Sequence, residues 1–158
     1  GKQPLDSDIL RCLNTLSSNL KLACHRLSDH HIQPVFEMIN STDMPRFLVQ
    51  NIAQAQEMLE AVQHPALKMQ YDCYHMAMMG EDVLEALKEN IHDIGHIQFA
   101  DCPGRHEPDT AQIHFAEIFQ WLNQSAYSGY IAAEYRPQAH SSHSFAWKDK
   151  YFAKHPQS

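Results

Sequence analysis

Four side chains that offer oxygen ligands occupy similar positions in four short apolar segments. Glu37 lies in QPVFEMIN, Asp72 ends LKMQYD, Gln98 lies in HIQFAD and Glu134 lies in GYIAAEY. Three carboxylates and an amide oxygen form a hard ligand set, which suits Mg²⁺ or Mn²⁺ better than Zn²⁺ or copper. Carboxylates brought together without a cation would repel one another, and a divalent ion removes that penalty. The residue types therefore predict a divalent metal site.

A divalent metal site with two glutamates indicates a proton-transfer reaction. A bound divalent cation can polarise a carbonyl and the adjacent hydroxyl of a small substrate. Glu37 and Glu134, on either side of the substrate carbon, would then exchange a proton with it. This is proton abstraction next to a carbonyl, the step on which ketose–aldose isomerisation depends. The alternative for any single strand is a half-exposed sheet whose polar face meets water.

Strand-like and amphipathic helical segments alternate along the chain. Apolar residues at three- and four-residue steps predict helices over residues 9–27, 52–62, 83–91 and 115–122, and a weaker helix around Phe145 and Trp147. Because no hairpin signal separates the strands, we expect parallel pairing by right-handed crossovers. Each strand then has one apolar face and one face that carries an oxygen ligand near its carboxyl end, where sites of parallel α/β folds gather.

Composition limits the class of protein. The 158 residues suffice for one domain with a core, and we expect a single domain over residues 1–158. A formal charge of −7 without a basic stripe argues against a nucleic-acid partner. No apolar run approaches the ~20 residues of a membrane helix, and four cysteines without a CxxC pair suit a reducing compartment. We therefore expect a soluble cytoplasmic protein that acts on a small molecule.

Four longer motifs contain the apolar segments. They read FEMINSTDMPRF, MQYDCYHMAMMG, GHIQFADCPGRHEPDTAQI and GYIAAEYRPQ. In order and spacing the chain resembles the hydroxypyruvate isomerases, within the xylose-isomerase-like barrel group, from Gly1 to about Trp147. The resemblance implies a parallel (β/α) barrel of the TIM type, of which this chain supplies about four βα units. It also implies a divalent cation and interconversion of hydroxypyruvate and tartronate semialdehyde.

The resemblance further implies roles for the oxygen-bearing residues. Glu37 matches the family's first metal-binding and proton-transferring glutamate, and Glu134 matches the second. Asp72 matches the aspartate ligand. Gln98 stands where the family has its third ligand, which is a histidine in related sugar epimerases. The expected metal ligands are therefore Glu37, Asp72, Gln98 and Glu134.

Two nitrogen-bearing side chains, His75 and Arg105, match positions that bind the substrate's oxygens in related enzymes. The alternative for His75 is a partly buried histidine that caps a carbonyl. For Arg105 it is a surface ion pair with Glu107, which would contribute little stability. We expect His106 and Glu107 to serve as loop structure, and the methionines of HMAMMG to be packing residues.

Departures from the family pattern concern the substrate and the length. PDTAQIHF replaces the usual PGTGEINY, Met38 replaces a proline, and Arg136 stands where many members have lysine. A 2-oxo-tetronate or sugar isomerase or epimerase is therefore an alternative function.

A complete barrel takes ~250 residues. We thus expect either a fragment that lacks the amino-terminal half or a homo-oligomer that covers the open sheet edges. A non-catalytic metal-binding module and a purely structural half-barrel are the alternatives outside catalysis.

Overall fold

A computed structural model describes residues 1–152, which contain a four-stranded sheet with helices between the strands. The strands lie side by side in chain order, and every neighbouring pair is parallel. They are β1 (Val35–Glu37), β2 (Lys68–Asp72), β3 (Ile94–Phe99) and β4 (Tyr130–Ala133). The expected alternation of strand and helix and the parallel pairing are confirmed.

Six α-helices occur within residues 1–152. They are α1 (Ile9–Ser28), α2 (Ile52–Val62), α3 (Cys73–Met78), α4 (Val83–Asn90), α5 (Phe115–Gln124) and α6 (Ala146–Phe152). Asp8, Asn51 and Asp82 cap the first turns of α1, α2 and α4 with their side-chain oxygens. Although α1 has 20 residues, none of the helices in this part of the chain is apolar and long enough to cross a membrane.

Helix α3 was not predicted. It follows β2 without a loop, and its first residues come directly after Asp72. Six residues are too few to display a helical period in the sequence. The helix matters because it carries His75 back towards the end of the strand.

One face of the sheet forms the core. Tyr71 and Phe99 are fully or almost fully buried on it, and the ring of Phe99 packs against Phe115, Phe119 and Trp147 at centroid distances of 5.7, 5.2 and 5.1 Å. Helices α5 and α6 therefore cover the apolar face. Polar side chains of β2 and β3 are left for the opposite face. There Asp72 lies next to Gln98 in register, and Gln98 lies next to Ala132.

Candidate metal centre and active site

The oxygen-bearing residues meet at the carboxyl ends of the strands. Glu37 and Asp72 are the last residues of β1 and β2, Gln98 is the second-last residue of β3, and Glu134 directly follows β4. Ligand atoms of Glu37, Asp72 and His75 all lie within 4.8 Å of one another. The structure thus brings two of the expected ligands together, with His75 as their third neighbour.

Asp72 has one satisfied and one unsatisfied carboxylate oxygen. Its side chain is fully buried, and Oδ1 accepts a hydrogen bond of 2.9 Å from the Tyr74 N–H at the start of α3. Oδ2 has no hydrogen-bond partner among the described residues. It lies 3.8 Å from His75 Nε2 and 3.7 Å from Arg105 Nη2. Burial raises the pKa of Asp72 to about 6. A buried carboxylate oxygen without a donor costs free energy, so this donor set fits a divalent cation.

Glu37 shares this environment. Burial, and next the charge of Asp72, raise the pKa of Glu37 to about 7, against a hydrogen bond from Gln70 that lowers it. Its Oε1 lies 4.0 Å from His75 Nε2. The negative charges of two neighbouring carboxylates repel each other, and a divalent cation bound between them would remove this repulsion.

Arg105 joins Asp72 to Glu134. Its Nη2 donates to Glu134 Oε2 at 2.8 Å and lies 3.7 Å from Asp72 Oδ2. Glu134 itself is half-exposed, and among the described residues it is not part of the cluster around Asp72. The expected alternative, a pair between Arg105 and Glu107, does not form, because Glu107 accepts from the Gln138 N–H instead. Arg105 therefore faces the strand ends.

Gln98 lies beside the cluster. Its Oε1 accepts a hydrogen bond from Gln70 Nε2, and Gln70 also bonds to Glu37. An amide oxygen has two lone pairs, so one remains for another partner. Gln70 is two residues before Asp72 in β2, so its side chain lies on the same face of the sheet.

His75 is 3% exposed. Burial, and next the charge of Arg105, lower the pKa of His75 to about 4, so the ring is neutral near pH 7. Its Nδ1 lies 2.6 Å from the amide nitrogen of Asn40 rather than against a carbonyl. Asn40 is also fully buried. Sequence reasoning did not single it out, although an asparagine at the end of an apolar strand segment is the available signal.

Asp101 holds the loop that presents Arg105. This buried aspartate, two residues past β3, uses both carboxylate oxygens to accept hydrogen bonds from the backbone N–H groups of Cys102, Thr110, Ala111 and Ile113 at 2.8–3.0 Å. Its carbonyl accepts from the Arg105 N–H at 3.0 Å. Arg105 has a φ of 57°, in the left-handed region, which is unfavourable for a side chain of this size unless neighbouring bonds hold it. His106 helps to hold the same loop, since its Nδ1 lies 2.7 Å from the Arg136 carbonyl oxygen.

A cleft of about 480 Å³ opens at this end of the sheet, within the roughly 300–1,000 Å³ of small-molecule sites. Its lining includes Glu37, His75, Arg105, Glu134 and Arg136. The cleft is therefore lined by both glutamates and by His75 and Arg105, the two residues expected to bind substrate oxygens.

Comparison with known sequences identifies the family. The model of the xylose isomerase-like TIM barrel family matches residues 1–151. A 2-oxo-tetronate isomerase of Cupriavidus necator is 35% identical over 154 residues, which cover 98% of this chain and 59% of the relative. A hydroxypyruvate isomerase of Escherichia coli (strain K12) is 34% identical over 151 residues, which cover 96% and 58%. The chain thus spans less than two thirds of the length of these relatives.

Solved structures agree on the fold. An AP endonuclease, family 2, from Brucella melitensis superposes with a TM-score of 0.88 at 27% identity, over 93% of this chain and 57% of the other. A 3-keto-D-glucoside 4-epimerase from E. coli superposes with a TM-score of 0.76 at 20% identity, over 87% and 51%, and supports the fold alone. The four-stranded parallel sheet is part of an α/β barrel, and the chain belongs to the xylose isomerase-like TIM barrel family.

Proposed function

We propose that the protein is a metal-dependent isomerase that interconverts hydroxypyruvate and tartronate semialdehyde by proton transfer next to a carbonyl. The observation that carries the proposal is the buried Asp72 Oδ2, which lacks a hydrogen-bond partner among the described residues and lies beside Glu37, His75 and Arg105. Relatives named hydroxypyruvate isomerase support the choice of reaction.

Glu37, Asp72, Gln98 and Glu134 would hold the cation. Mg²⁺ and Mn²⁺ suit a set of carboxylate and amide oxygens. When bound, the ion would polarise the substrate carbonyl and the adjacent hydroxyl. Glu134 would exchange its contact with Arg105 for this role, which leaves the guanidinium free to pair with the substrate carboxylate.

The two glutamates would move the proton. Glu37 lines the cleft on one side, where a carboxylate could accept a proton from the substrate carbon and return it. Glu134 would act from the other side of the substrate carbon. His75 and Arg105 would bind the substrate oxygens, and the apolar loop residue Met44 would help to exclude water from the cleft.

The proposed activity belongs to the whole protein. All of the proposed ligands lie in this chain, so we propose that residues 1–158 retain metal affinity. Turnover would need the remaining strands of a barrel, from a longer chain or a second copy, to close the cleft. All four cysteines are free thiols, which fits a reducing compartment such as the cytoplasm.

A second candidate is a 2-oxo-tetronate isomerase. The cleft is lined by Arg136 in addition to Arg105, and a second guanidinium could donate a hydrogen bond to the additional hydroxyl of an acid that is one carbon longer. The relative from Cupriavidus necator carries this name. Catalytic efficiencies of the full-length gene product, loaded with Mn²⁺ and compared on both acids, would separate the two candidates.

Glu134→Gln tests the proposed chemistry. We expect kcat of the full-length enzyme to fall by about 10²–10⁴-fold, because the amide cannot exchange a proton. Glu117→Gln, an exposed position on α5, is the matched control and should retain wild-type kcat. Solvent deuterium exchange into the substrate measures proton abstraction directly. Normal exchange in the Glu134 variant would contradict the assigned role.

A further inference from the structure

The buried side chain of Asn40 has one possible orientation. One of its terminal atoms lies 2.8 Å from the backbone N–H of Asp43. A backbone N–H can only donate, so this atom is the amide oxygen Oδ1. The amide nitrogen Nδ2 must then lie on the other side, where it donates to Asp43 Oδ2 at 3.1 Å.

This orientation determines the protonation of His75. Asn40 Nδ2 lies 2.6 Å from His75 Nδ1. An amide nitrogen offers only N–H groups, so Nδ1 has to accept and carries no proton. A doubly protonated ring would direct an N–H at another N–H. The proton of the neutral ring therefore lies on Nε2.

The protonated Nε2 faces the candidate metal centre. It lies 3.8 Å from Asp72 Oδ2 and 4.0 Å from Glu37 Oε1. Distance alone would make His75 a third ligand, since its nitrogen belongs to the same cluster as the two carboxylates. A nitrogen that carries a proton has no lone pair in the ring plane for a metal.

We propose that Asn40 is a positioning residue that holds His75 in the Nε2–H tautomer, so that His75 donates a hydrogen bond to a substrate oxygen and does not bind the metal. The assignment of the substrate oxygen rests on the proposed function, whereas the tautomer and its effect on metal binding do not.

A second layer of contacts holds Asn40 in place. Asp43 Oδ2 also accepts from the Tyr74 hydroxyl at 2.8 Å, and the guanidinium of Arg105 lies over the Tyr74 ring at 5.1 Å from its centroid. The two groups proposed to bind substrate oxygens are therefore joined through Asn40, Asp43 and Tyr74. Hydrogen bonds of this kind commonly fix the tautomer of a functional imidazole.

Nitrogen NMR of the ¹⁵N-histidine-labelled, full-length gene product reads the tautomer directly. The two-bond proton–nitrogen pattern of His75, assigned by its loss in His75→Gln, should show a protonated Nε2 and an unprotonated Nδ1 near pH 7. A protonated Nδ1 in the wild-type protein would overturn the proposal. This result needs no activity and no variant of Asn40.

A paired substitution reverses the direction of the hydrogen bond between residue 40 and His75 Nδ1. N40D/D43N exchanges the amide and the carboxylate, so that a carboxylate now accepts from His75 Nδ1 while the mutual hydrogen bond of positions 40 and 43 is kept. We expect the proton to move to Nδ1, which leaves a lone pair on Nε2. If the tautomer stays unchanged in the folded variant, Asn40 does not control it.

Mn²⁺ titration tests the consequence for metal binding. Loss of a metal ligand, or of a residue hydrogen-bonded to one, typically lowers metal affinity by roughly tenfold or more. In the wild-type background, His75→Gln should change Mn²⁺ affinity by less than this. In the N40D/D43N background the same substitution should cost at least about tenfold, because His75 has become a ligand there. A tenfold loss in the wild-type background would overturn the proposal even if the paired variant does not fold.

Kinetics provide a separate readout. N40D/D43N should lower kcat by about 10²-fold with a smaller change in KM, since the donor acts on an oxygen where charge develops. Wild-type kcat in a folded N40D/D43N protein with the changed tautomer would exclude the substrate contact. Absence of all isomerase activity in the wild-type protein would refute the proposed function and leave the NMR and Mn²⁺ results valid.

Discussion

Asp72 and Asp101 are both fully buried aspartates, but the hydrogen bonds that their carboxylate oxygens accept differ. Asp101 accepts four backbone N–H groups with its two oxygens. Asp72 accepts a hydrogen bond with Oδ1 only, and its Oδ2 has no partner in the described part of the chain. Local sequence does not distinguish the two, since each follows an apolar strand segment. The difference arises from the loop that folds over Asp101 and from the site that opens at Asp72.

Asp72→Asn should stabilise the metal-free protein and weaken metal binding. The pKa of Asp72 is raised from 3.8 to about 6, so the folded state binds more protons than the unfolded state between these values, and stability falls as pH rises through this window. At pH 8 the charge destabilises the fold by on the order of 3 kcal/mol, and asparagine, which caps helices equally well, removes that cost.

Thermal denaturation with and without Mn²⁺ measures both effects. We expect a higher melting temperature for the Asp72 variant without metal and a loss of the stabilisation by Mn²⁺, which follows from the loss of a ligand. A lower melting temperature in the absence of metal would contradict the account of the unsatisfied oxygen.

Metal affinity should depend on pH. Binding requires ionised carboxylates, and the pKa values of Glu37 and Asp72 in the metal-free protein are about 7 and about 6. Mn²⁺ affinity should therefore rise with pH through both values and level off above about pH 8, where protons no longer compete. His75 remains neutral throughout this range.

Calorimetry in buffers of different ionisation enthalpy counts the protons released. Glu37→Gln should remove the upper part of the pH dependence and leave the part due to Asp72. A flat affinity between about pH 5 and about pH 8 would show that neither carboxylate binds the ion.

At the scale of elements, two connections position the residues of the site. Helix α3 begins at Asp72 without a loop and so places His75 beside the strand end. The segment after β3 is folded around Asp101, and this fixes Arg105 in its left-handed conformation. The strands and longer helices were predictable from periodicity, because they bury one face. Helix α3 was not predictable, because its six residues are too few to display a helical period. The segment after β3 was not, because its hydrogen bonds join residues up to 12 positions apart.

Asp101→Asn should damage both the loop and substrate binding. An amide has one acceptor oxygen where the carboxylate has two, and its NH₂ group would face backbone N–H donors. We expect a loss of about 2 kcal/mol or more in the free energy of unfolding, as for lost hydrogen bonds to a charged group. KM for the acid should rise because Arg105 is no longer held.

Comparison of the two buried aspartates provides the control. In the metal-free protein the same Asp-to-Asn change should raise stability at position 72 and lower it at position 101. Urea unfolding at one pH measures both values. A shift of the same sign at both positions would refute the distinction made from their hydrogen bonds.

At the scale of the whole molecule, the sheet has two strands with unpaired edges within residues 1–152, β1 and β4. Tyr130 at the start of β4 is 84% exposed. Relatives that are longer than this chain share its family and its fold. An unpaired parallel edge next to exposed aromatic surface favours association with another chain.

Residues 1–158, produced by themselves, should therefore self-associate. We expect an apparent mass above 18.2 kDa in sedimentation experiments, because open strand edges pair readily. Tyr130→Lys should shift the equilibrium towards the monomer, since a charged side chain on an edge strand opposes pairing. Leu5→Lys, at an equally exposed position outside the sheet, is the control. A monomeric wild-type segment would contradict the prediction.

The sequence by itself determined the alternation of elements, the parallel sheet, its apolar face and the family, because these follow from periodicity and from motifs that are continuous in the chain. It also indicated Glu37, Asp72, Gln98 and Glu134 as residues of one face. Only the tertiary structure decided which of them meet. It placed Asp72 against Glu37 and His75, paired Glu134 with Arg105, and set Asn40 against the imidazole. These contacts depend on distances between separate elements, and such distances are set by packing rather than by local sequence.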